Sequence, residues 1–417
     1  MFASHITRVE ELVREQNEWR GHCINLIASE QVMSRRARAV MGSDFCHRYA
    51  EGHPGERYYQ GTEKIDSIET DVKRYLKKLF GCLHTEVRPI SGTNANEAVF
   101  SRYIKPGDIV MVNSTPGGGH ISHQKAGAVG KLTRNVLTFP RTKDGYHIDV
   151  GRTKDLMRAT KPTTVIFGKS LFLFPDPVAE LFDVCEKIGC RVVYDGAHVL
   201  GLIAGKQFQD PLREGAHLLN ASTHKTFPGP QRGLILSNLG GDDWRQIDKG
   251  AFPGSSSNHH LDTLPPLLIT TYEMLAFGEA YAKQVIANAQ YLAAALEKQG
   301  FDVQAKDFGY TKSHQVAVDV SRYGGGSAVS SLLKENNIIL NMNMLPFESL
   351  SHHDNPAGVR IGTQEMTRVG MKEAEMDQIA TLMGDCVIRG KRVLDEVKKM
   401  RESYQIVHYS FDEGAKA

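Results

Sequence analysis

Short runs of Val, Ile and Leu at 108–113, 164–168, 191–195, 218–222 and 233–237 constrain the fold more than any other feature of the chain. Strands covered on both faces read as continuous apolar runs rather than as alternation. Helical stretches, such as 93–103 and 177–188, separate them. Strand, helix, strand in repetition is the pattern of a mostly parallel sheet clad in helices, so an α/β fold is expected. From Pro265 the texture changes. A long helical pattern over 271–299 ends at Gly300. Alternating segments follow at 315–320 and 358–362, with a helical pattern near 327–335, and a last helical stretch runs over 372–400. The expectation is an N-terminal helical arm at 1–45, a large α/β domain at 46–270 and a small α+β domain at 271–417. A length of 417 residues fits that number of units.

The first twenty residues are heavily charged, with Ile6, Val9, Leu12 and Val13 at helical spacing. They lack the apolar core of a secretory signal, and no stretch reaches the roughly 20 apolar residues that cross a bilayer. A cytoplasmic protein without a membrane partner is expected. Lys and Arg total 50 against 48 Asp and Glu, without long like-charge runs, so nothing calls for nucleic acid. Cys23, Cys46, Cys82, Cys185, Cys190 and Cys386 include no CxxC pair and read as reduced, mostly buried thiols. His259-His260 and His352-His353 invite a metal reading, but adjacent side chains diverge and no HExxH accompanies them. Solvated loop histidines and no metal site are expected.

Two nucleotide motifs fail. Gly168-Lys169-Ser170 resembles the end of a P-loop, but position 163 is Thr, and Gly117-Gly118-Gly119 is not GxGxxG. The segment Ser91-Gly92-Thr93-Asn94-Ala95-Asn96 opens a helix, where free backbone N–H groups can hold a phosphate or simply be capped. Asp195 ends an apolar strand, with His198 three residues on; it is either a helix cap or a partner for a cationic ring nitrogen in the crevice at the strand ends. Lys225, within Ser222-Thr223-His224-Lys225-Thr226 after another apolar strand, is a candidate Schiff-base lysine, because burial makes an amine reactive. Anion cap, Asp and Lys together supply the three anchors of pyridoxal phosphate: phosphate, pyridinium nitrogen and aldehyde.

In these segments and others the chain resembles the serine hydroxymethyltransferase family, within the aspartate-aminotransferase-like fold type I pyridoxal phosphate enzymes. The motifs are Leu26-Ile27-Ala28-Ser29-Glu30, the run from Tyr49 to Tyr59 (YAEGHPGERYY), Gly118-Gly119-His120, Asp195-Gly196-Ala197-His198, Thr223-His224-Lys225-Thr226 and Gly358-Val359-Arg360-Ile361-Gly362-Thr363. They match in order and spacing over nearly the whole chain, and details at 172–175, 194–216 and 224–231 look most like archaeal-type members.

The resemblance implies that Lys225 binds the cofactor aldehyde, Asp195 pairs with the pyridinium, His120 stacks on the ring and His198 meets the ring hydroxyl. Ser91, Gly92 and Thr93 would cradle the phosphate, with Ser170 and His224 beside the cofactor. Tyr49 would reach the phosphate of a neighbouring subunit, making a homodimer with composite active sites, alone or within a tetramer. Arg360 would clamp the substrate carboxylate with help from Ser29. Glu51, Tyr58 and Tyr59 would lie where the serine side chain meets the carrier, Glu51 shuttling the proton, and Ile121 and Asn343 would touch the pterin. The implied reaction is reversible: L-serine and a tetrahydropterin give glycine and a methylene-tetrahydropterin. Tetrahydrofolate and tetrahydromethanopterin both fit.

Some positions depart from the family pattern. Gln231-Arg232 stands where most members have Arg-Gly, which bears on hydrogen bonds around the cofactor pocket. Ser255-Ser256-Ser257-Asn258 replaces a glycine-rich turn, and 345–355 differs on the pterin side. Threonine transaldolases and α-methylserine hydroxymethyltransferases share the framework, and the former are similar in Phe308-Gly309-Tyr310-Thr311 and around His314-Gln315. Glu51, Tyr58 and Tyr59 favour a pterin-dependent enzyme. A non-catalytic scaffold would have no need of Lys225, Asp195, His120 and Arg360 together.

Overall fold

The computed structural model describes residues 2–412. Seven strands form the main sheet in the order His84–Glu86, Gly233–Ser237, Leu218–Ser222, Arg191–Asp195, Thr164–Phe167, Ile109–Val112 and Asn135–Thr138. Every neighbouring pair from Leu218–Ser222 onward is parallel; Gly233–Ser237 alone runs in reverse. The apolar runs have a simple cause. Val110, Ile166, Val193, Leu218 and Ile235 enter the core on one face of the sheet. Their chain neighbours Met111, Val165, Val192, Leu219 and Leu234 enter the core on the other. Side chains alternate along a strand, so a sheet covered on both sides needs an apolar residue at every position.

The two edge strands escape this signal. His84–Glu86 is three residues with a histidine and a glutamate, and Asn135–Thr138 is exposed at both ends. Helices Glu63–Phe80, Gly92–Tyr103, Val150–Thr160 and Val178–Ile188 are among those that clad the sheet.

A second, antiparallel sheet has the order Asp302–Val303, Gln315–Asp319, Gly358–Gly362, Asn341–Asn343. Val316, Val318, Val359 and Ile361 pack there against Met376, Ile379 and Met383 of helix Glu373–Val387. The 36-residue helix Leu264–Gln299 joins the two cores, giving Leu267 and Tyr281 to the first and Leu292 and Leu296 to the second. The single helix expected over 372–400 is instead two, Glu373–Val387 and Leu394–Glu402. The chain turns between them, with Gly390 at φ 64°, so that Val393 N–H reaches the buried Asn336 side chain at 2.8 Å.

The N-terminal helix Ala3–Gly21 contributes no buried residue. Beyond it, Ile24–Asn25 pairs in parallel with Ile338–Ile339, and Ile24 and Leu26 enter the core of the small sheet. Residue 1 and residues 413–417, which end the first and last expected spans, lie outside the described residues. No helix among the described residues is long and apolar enough to cross a membrane, and no cluster of His, Cys, Asp or Glu there could hold a metal. All six cysteines are free, and five are buried.

Candidate active site

Asp195 is the last residue of its strand, and Lys225 follows three residues after the end of the adjacent strand, Leu218–Ser222. Both open onto a cavity of about 210 Å³ at the carboxyl ends of the parallel strands, where ligands bind in open α/β sheets. Ser91, Gly92, Thr93, His120, Ser170, His198 and His224 line the same cavity, so the structure brings together every residue expected around a cofactor except Tyr49.

Burial by itself would raise the Asp195 carboxyl. Hydrogen bonds outweigh it and hold the pKa well below the carboxylate range. His123 Nε2 lies 2.9 Å from Oδ2, Asn96 Nδ2 donates to the same oxygen at 2.8 Å, and Ala197 N–H donates to Oδ1 at 3.0 Å. Asp195 is therefore ionised inside the protein. Sequence reading gave neither Asn96 nor His123 a role. The one signal available was spacing: Asn96 is one turn into the helix that Ser91 caps, and His123 is one short turn beyond His120.

Lys225 is desolvated in the cavity, which lowers its amine to about 8; Asp195 opposes that shift and Arg360 adds to it. Burial lowers His120 to about 4 and His224 to about 4, and carries His198 well below its ordinary value. All three are neutral imidazoles near pH 7. Ser122 N–H donates to His120 Nδ1 at 3.1 Å, while His224 Nδ1 is buried with no partner among the described residues.

The cradle comes from the start of helix Gly92–Tyr103. Ser91 Oγ accepts from Asn94 N–H at 3.1 Å and caps the helix, and Ser91, Gly92 and Thr93 line the cavity. A Cβ on Gly92 would stand 2.3 Å from Ser222 Oγ, so a larger residue here would have to turn the Ser222 hydroxyl aside.

Arg360 comes from the small sheet. Burial lowers its guanidinium to about 10, still protonated at neutral pH. It donates to Ser170 O at 2.7 Å and, through Nε and Nη2, to Asn341 Oδ1 at 3.3 and 3.1 Å. None of these partners is a carboxylate, which leaves a buried cation fitted to an anionic ligand.

Arg360 itself is not in the lining of this cavity, which it meets through Ser170, and the remaining expected residues do not line it either. Ser29 lines a neighbouring cavity of about 920 Å³, which shares His224 and Gln231 with the first. Tyr49, Glu51, Tyr58 and Tyr59 form an open patch in which the Tyr49 and Tyr59 rings lie 5.2 Å apart. Ile121 is exposed, and Asn343 Nδ2 donates to Met344 O at 2.6 Å.

The departure at 231–232 resolves into two residues with different surroundings. Gln231 lines the cavity. Arg232 is fully buried and points away from it, donating to Val87 O, to His260 O at 2.6 Å, to Thr263 Oγ1 and to His259 Nδ1. This corrects one expectation: His259 is not a solvated loop histidine but is 1% exposed, drawn inward as an acceptor for Arg232. His260, His352 and His353 are exposed, as expected.

The family model described as serine hydroxymethyltransferase matches residues 3–383. The serine hydroxymethyltransferase of Methanosphaera stadtmanae is 46% identical over 407 residues, covering 98% of this chain and 96% of that protein. That of Pyrococcus abyssi is 49% identical over 414 residues, covering 98% and 97%. Among solved structures, the L-threonine transaldolase from Pseudomonas fluorescens in its internal aldimine state superposes with a TM-score of 0.90 at 27% identity, covering 98% of this chain and 94% of that one.

Proposed function

The chain belongs to the serine hydroxymethyltransferase family, and from that premise we propose how its residues perform the family's reaction, the reversible conversion of L-serine and a tetrahydropterin to glycine and a methylene-tetrahydropterin. One observation carries the reading. An ionised Asp195 and a desolvated Lys225 face one cavity from adjacent strand ends, lined also by the start of a helix, with a buried Arg360 without an acidic partner nearby.

This donor set fits pyridoxal phosphate. A permanent carboxylate suits a protonated ring nitrogen, an amine with a lowered pKa suits an aldehyde, and a helix start that lines the cavity suits a phosphate. His224, with its unpartnered buried nitrogen, is a further polar contact. The bound cofactor supplies an electron sink for the bond that breaks next to the amino group.

The protein's own tasks are binding and electrostatics. Lys225 holds the cofactor. Asp195, kept charged by His123 and Asn96, keeps the ring nitrogen protonated. His120 would cover the ring, and His198 would meet its hydroxyl. Ser91, Gly92 and Thr93 take the phosphate, with Ser170 alongside. Arg360 orients the substrate carboxylate, helped by Ser29.

The proposal also includes a homodimer. Phe2 and, on helix Ala3–Gly21, Ile6, Val9, Leu12 and Val13 lie on the surface, and Tyr49, Tyr58 and Tyr59 are large side chains in the open. Single exposed apolar residues are ordinary; contiguous ones mark an interface. In such a dimer Tyr49, Glu51, Tyr58 and Tyr59 complete the partner's site, where Glu51 moves the proton and Ile121 and Asn343 meet the pterin. The division at 45 and 270, with helix Leu264–Gln299 bridging the two larger units, and a cytoplasmic location with reduced cysteines belong to the same reading.

The transaldolase likeness supplies one competitor, with an aldehyde in place of the carrier. Visible spectra of the purified protein decide between them. The hydroxymethyltransferase reading expects a cofactor band that Lys225→Ala abolishes, and strong enhancement at long wavelength when glycine and one carrier are added, tetrahydrofolate or tetrahydromethanopterin. A band unresponsive to either, with turnover of threonine plus an aldehyde, supports the transaldolase. No band after added pyridoxal phosphate overturns both.

A further inference from the structure

Gln315 has no role in the assignments above, yet both ends of its side-chain amide are engaged, and its partners dictate the direction of each hydrogen bond. It opens the strand Gln315–Asp319, in which Ala317 lies opposite Arg360 of Gly358–Gly362. Residues two apart on a strand, and residues directly opposite on its neighbour, share a face of the sheet. Gln315 and Arg360 therefore project together, and both reach the carbonyl of Ser170.

Phe172 N–H donates to Gln315 Oε1 at 2.7 Å. A backbone N–H only donates, so the other end of the amide is the NH2 group with two hydrogens. Ser170 O, 3.0 Å from Nε2, only accepts and takes one of them. His198 Nδ1 at 3.0 Å and His314 Nε2 at 3.2 Å compete for the second. His314 Nε2 also lies 3.1 Å from Ala28 O. A carbonyl oxygen cannot donate, so His314 commits its Nε2 hydrogen there and cannot accept from Gln315. The second hydrogen goes to His198 Nδ1, which must be bare. His198 is neutral: burial disfavours its cation, and Lys225, Arg360, His314 and His120 oppose it further. Its single ring hydrogen is on Nε2.

We propose that Gln315 is a positioning residue that locks His198 in the Nε2–H tautomer, so that His198 presents a donor to the ring oxygen of the cofactor, while the same amide helps to hold the Ser170 carbonyl on which Arg360 rests. The identity of the recipient rests on the cofactor reading above; the tautomer does not. A donor at this place stabilises an ionised ring oxygen, whereas a bare Nε2 would demand a protonated one.

Nitrogen-15 spectra of histidine-labelled protein report the tautomer without any activity measurement. They are recorded on cofactor-free and cofactor-loaded protein, with His198 identified by the signal lost in His198→Asn. The expected wild-type pattern is a protonated Nε2 and an unprotonated Nδ1. Gln315→Met, close in volume but without a donor, is expected to mix the tautomers. Gln315→Glu, which offers an acceptor instead, is expected to move hydrogen onto Nδ1. In both loaded variants the pH midpoint of the visible band should shift upward by about one unit. A wild-type Nδ1–H pattern overturns the proposal even if neither variant folds, and so does a Gln315→Met protein with the wild-type pattern. Failure to take up pyridoxal phosphate would refute the cofactor reading separately, since the cofactor-free spectrum still reads the tautomer.

Discussion

His123 sits 2.9 Å behind Asp195, with its Nε2 against Oδ2 and its ring fully buried. A carboxylate in such a place would ordinarily take up a proton; here the imidazole and Asn96 make the charged form the favoured one. The charge that faces the cavity is thus maintained by two side chains behind it.

Replacing Asp195 by Asn should lower serine turnover about 100-fold or more, because a preorganised charge aimed at the reacting system is lost. Cofactor uptake should persist through Lys225 and the helix start. Steady-state rates beside cofactor stoichiometry check this, and near-normal turnover would count against the role of Asp195.

Lys225, lowered by desolvation to about 8, makes cofactor capture pH-dependent. Only the neutral amine attacks an aldehyde. The initial rate at which cofactor-free protein develops its visible band should rise roughly tenfold per pH unit below about 8 and level off above it. A profile still rising steeply through pH 10 would show an ordinary solvated lysine.

Arg360→Lys keeps the charge but loses the planar fork. The serine KM should rise by about 10- to 100-fold, the range for hydrogen bonds to a charged group. The visible band of the resting enzyme should be unchanged, and an unaltered KM would remove Arg360 from the substrate site.

Arg232→Ala should destabilise the fold by about 3 kcal/mol, since it strands buried acceptors at Val87, His260 and Thr263 and leaves a cavity. Urea unfolding measures it. Because Arg232 points away from the cavity, the serine KM should stay near its wild-type value.

Burial holds Glu365 up to about 7, against the pull of Arg20, of Arg401 and of the Asn25 amide, which donates to it at 2.8 Å. The folded state keeps a proton that the unfolded chain releases near pH 4.5. Its contribution is therefore complete at low pH and is lost as pH rises through about 7, roughly 3 kcal/mol in all. Glu365→Gln should flatten the stability profile across that window, and an unchanged slope would place the titration elsewhere.

Much of the site was legible because its residues lie in short linear segments. Asp195, Lys225 and Ser91–Thr93 each sit at the end of a strand or the start of a helix, where local pattern and chemistry coincide. Edge strands such as Asn135–Thr138 and the break at Gly390 carry no comparable pattern, since one side of them faces solvent or another element.

The sequence alone determined the α/β class, the order of the anchors and the family, because burial on both faces of a sheet and chemistry at strand ends leave marks within a few residues. Only the tertiary structure decided that His123 sustains Asp195, that Gln315 orients His198 across 117 residues, and that Arg232 draws His259 inward. These are contacts between distant segments, and the spacing of residues along a chain holds no record of which buried donor will meet which acceptor.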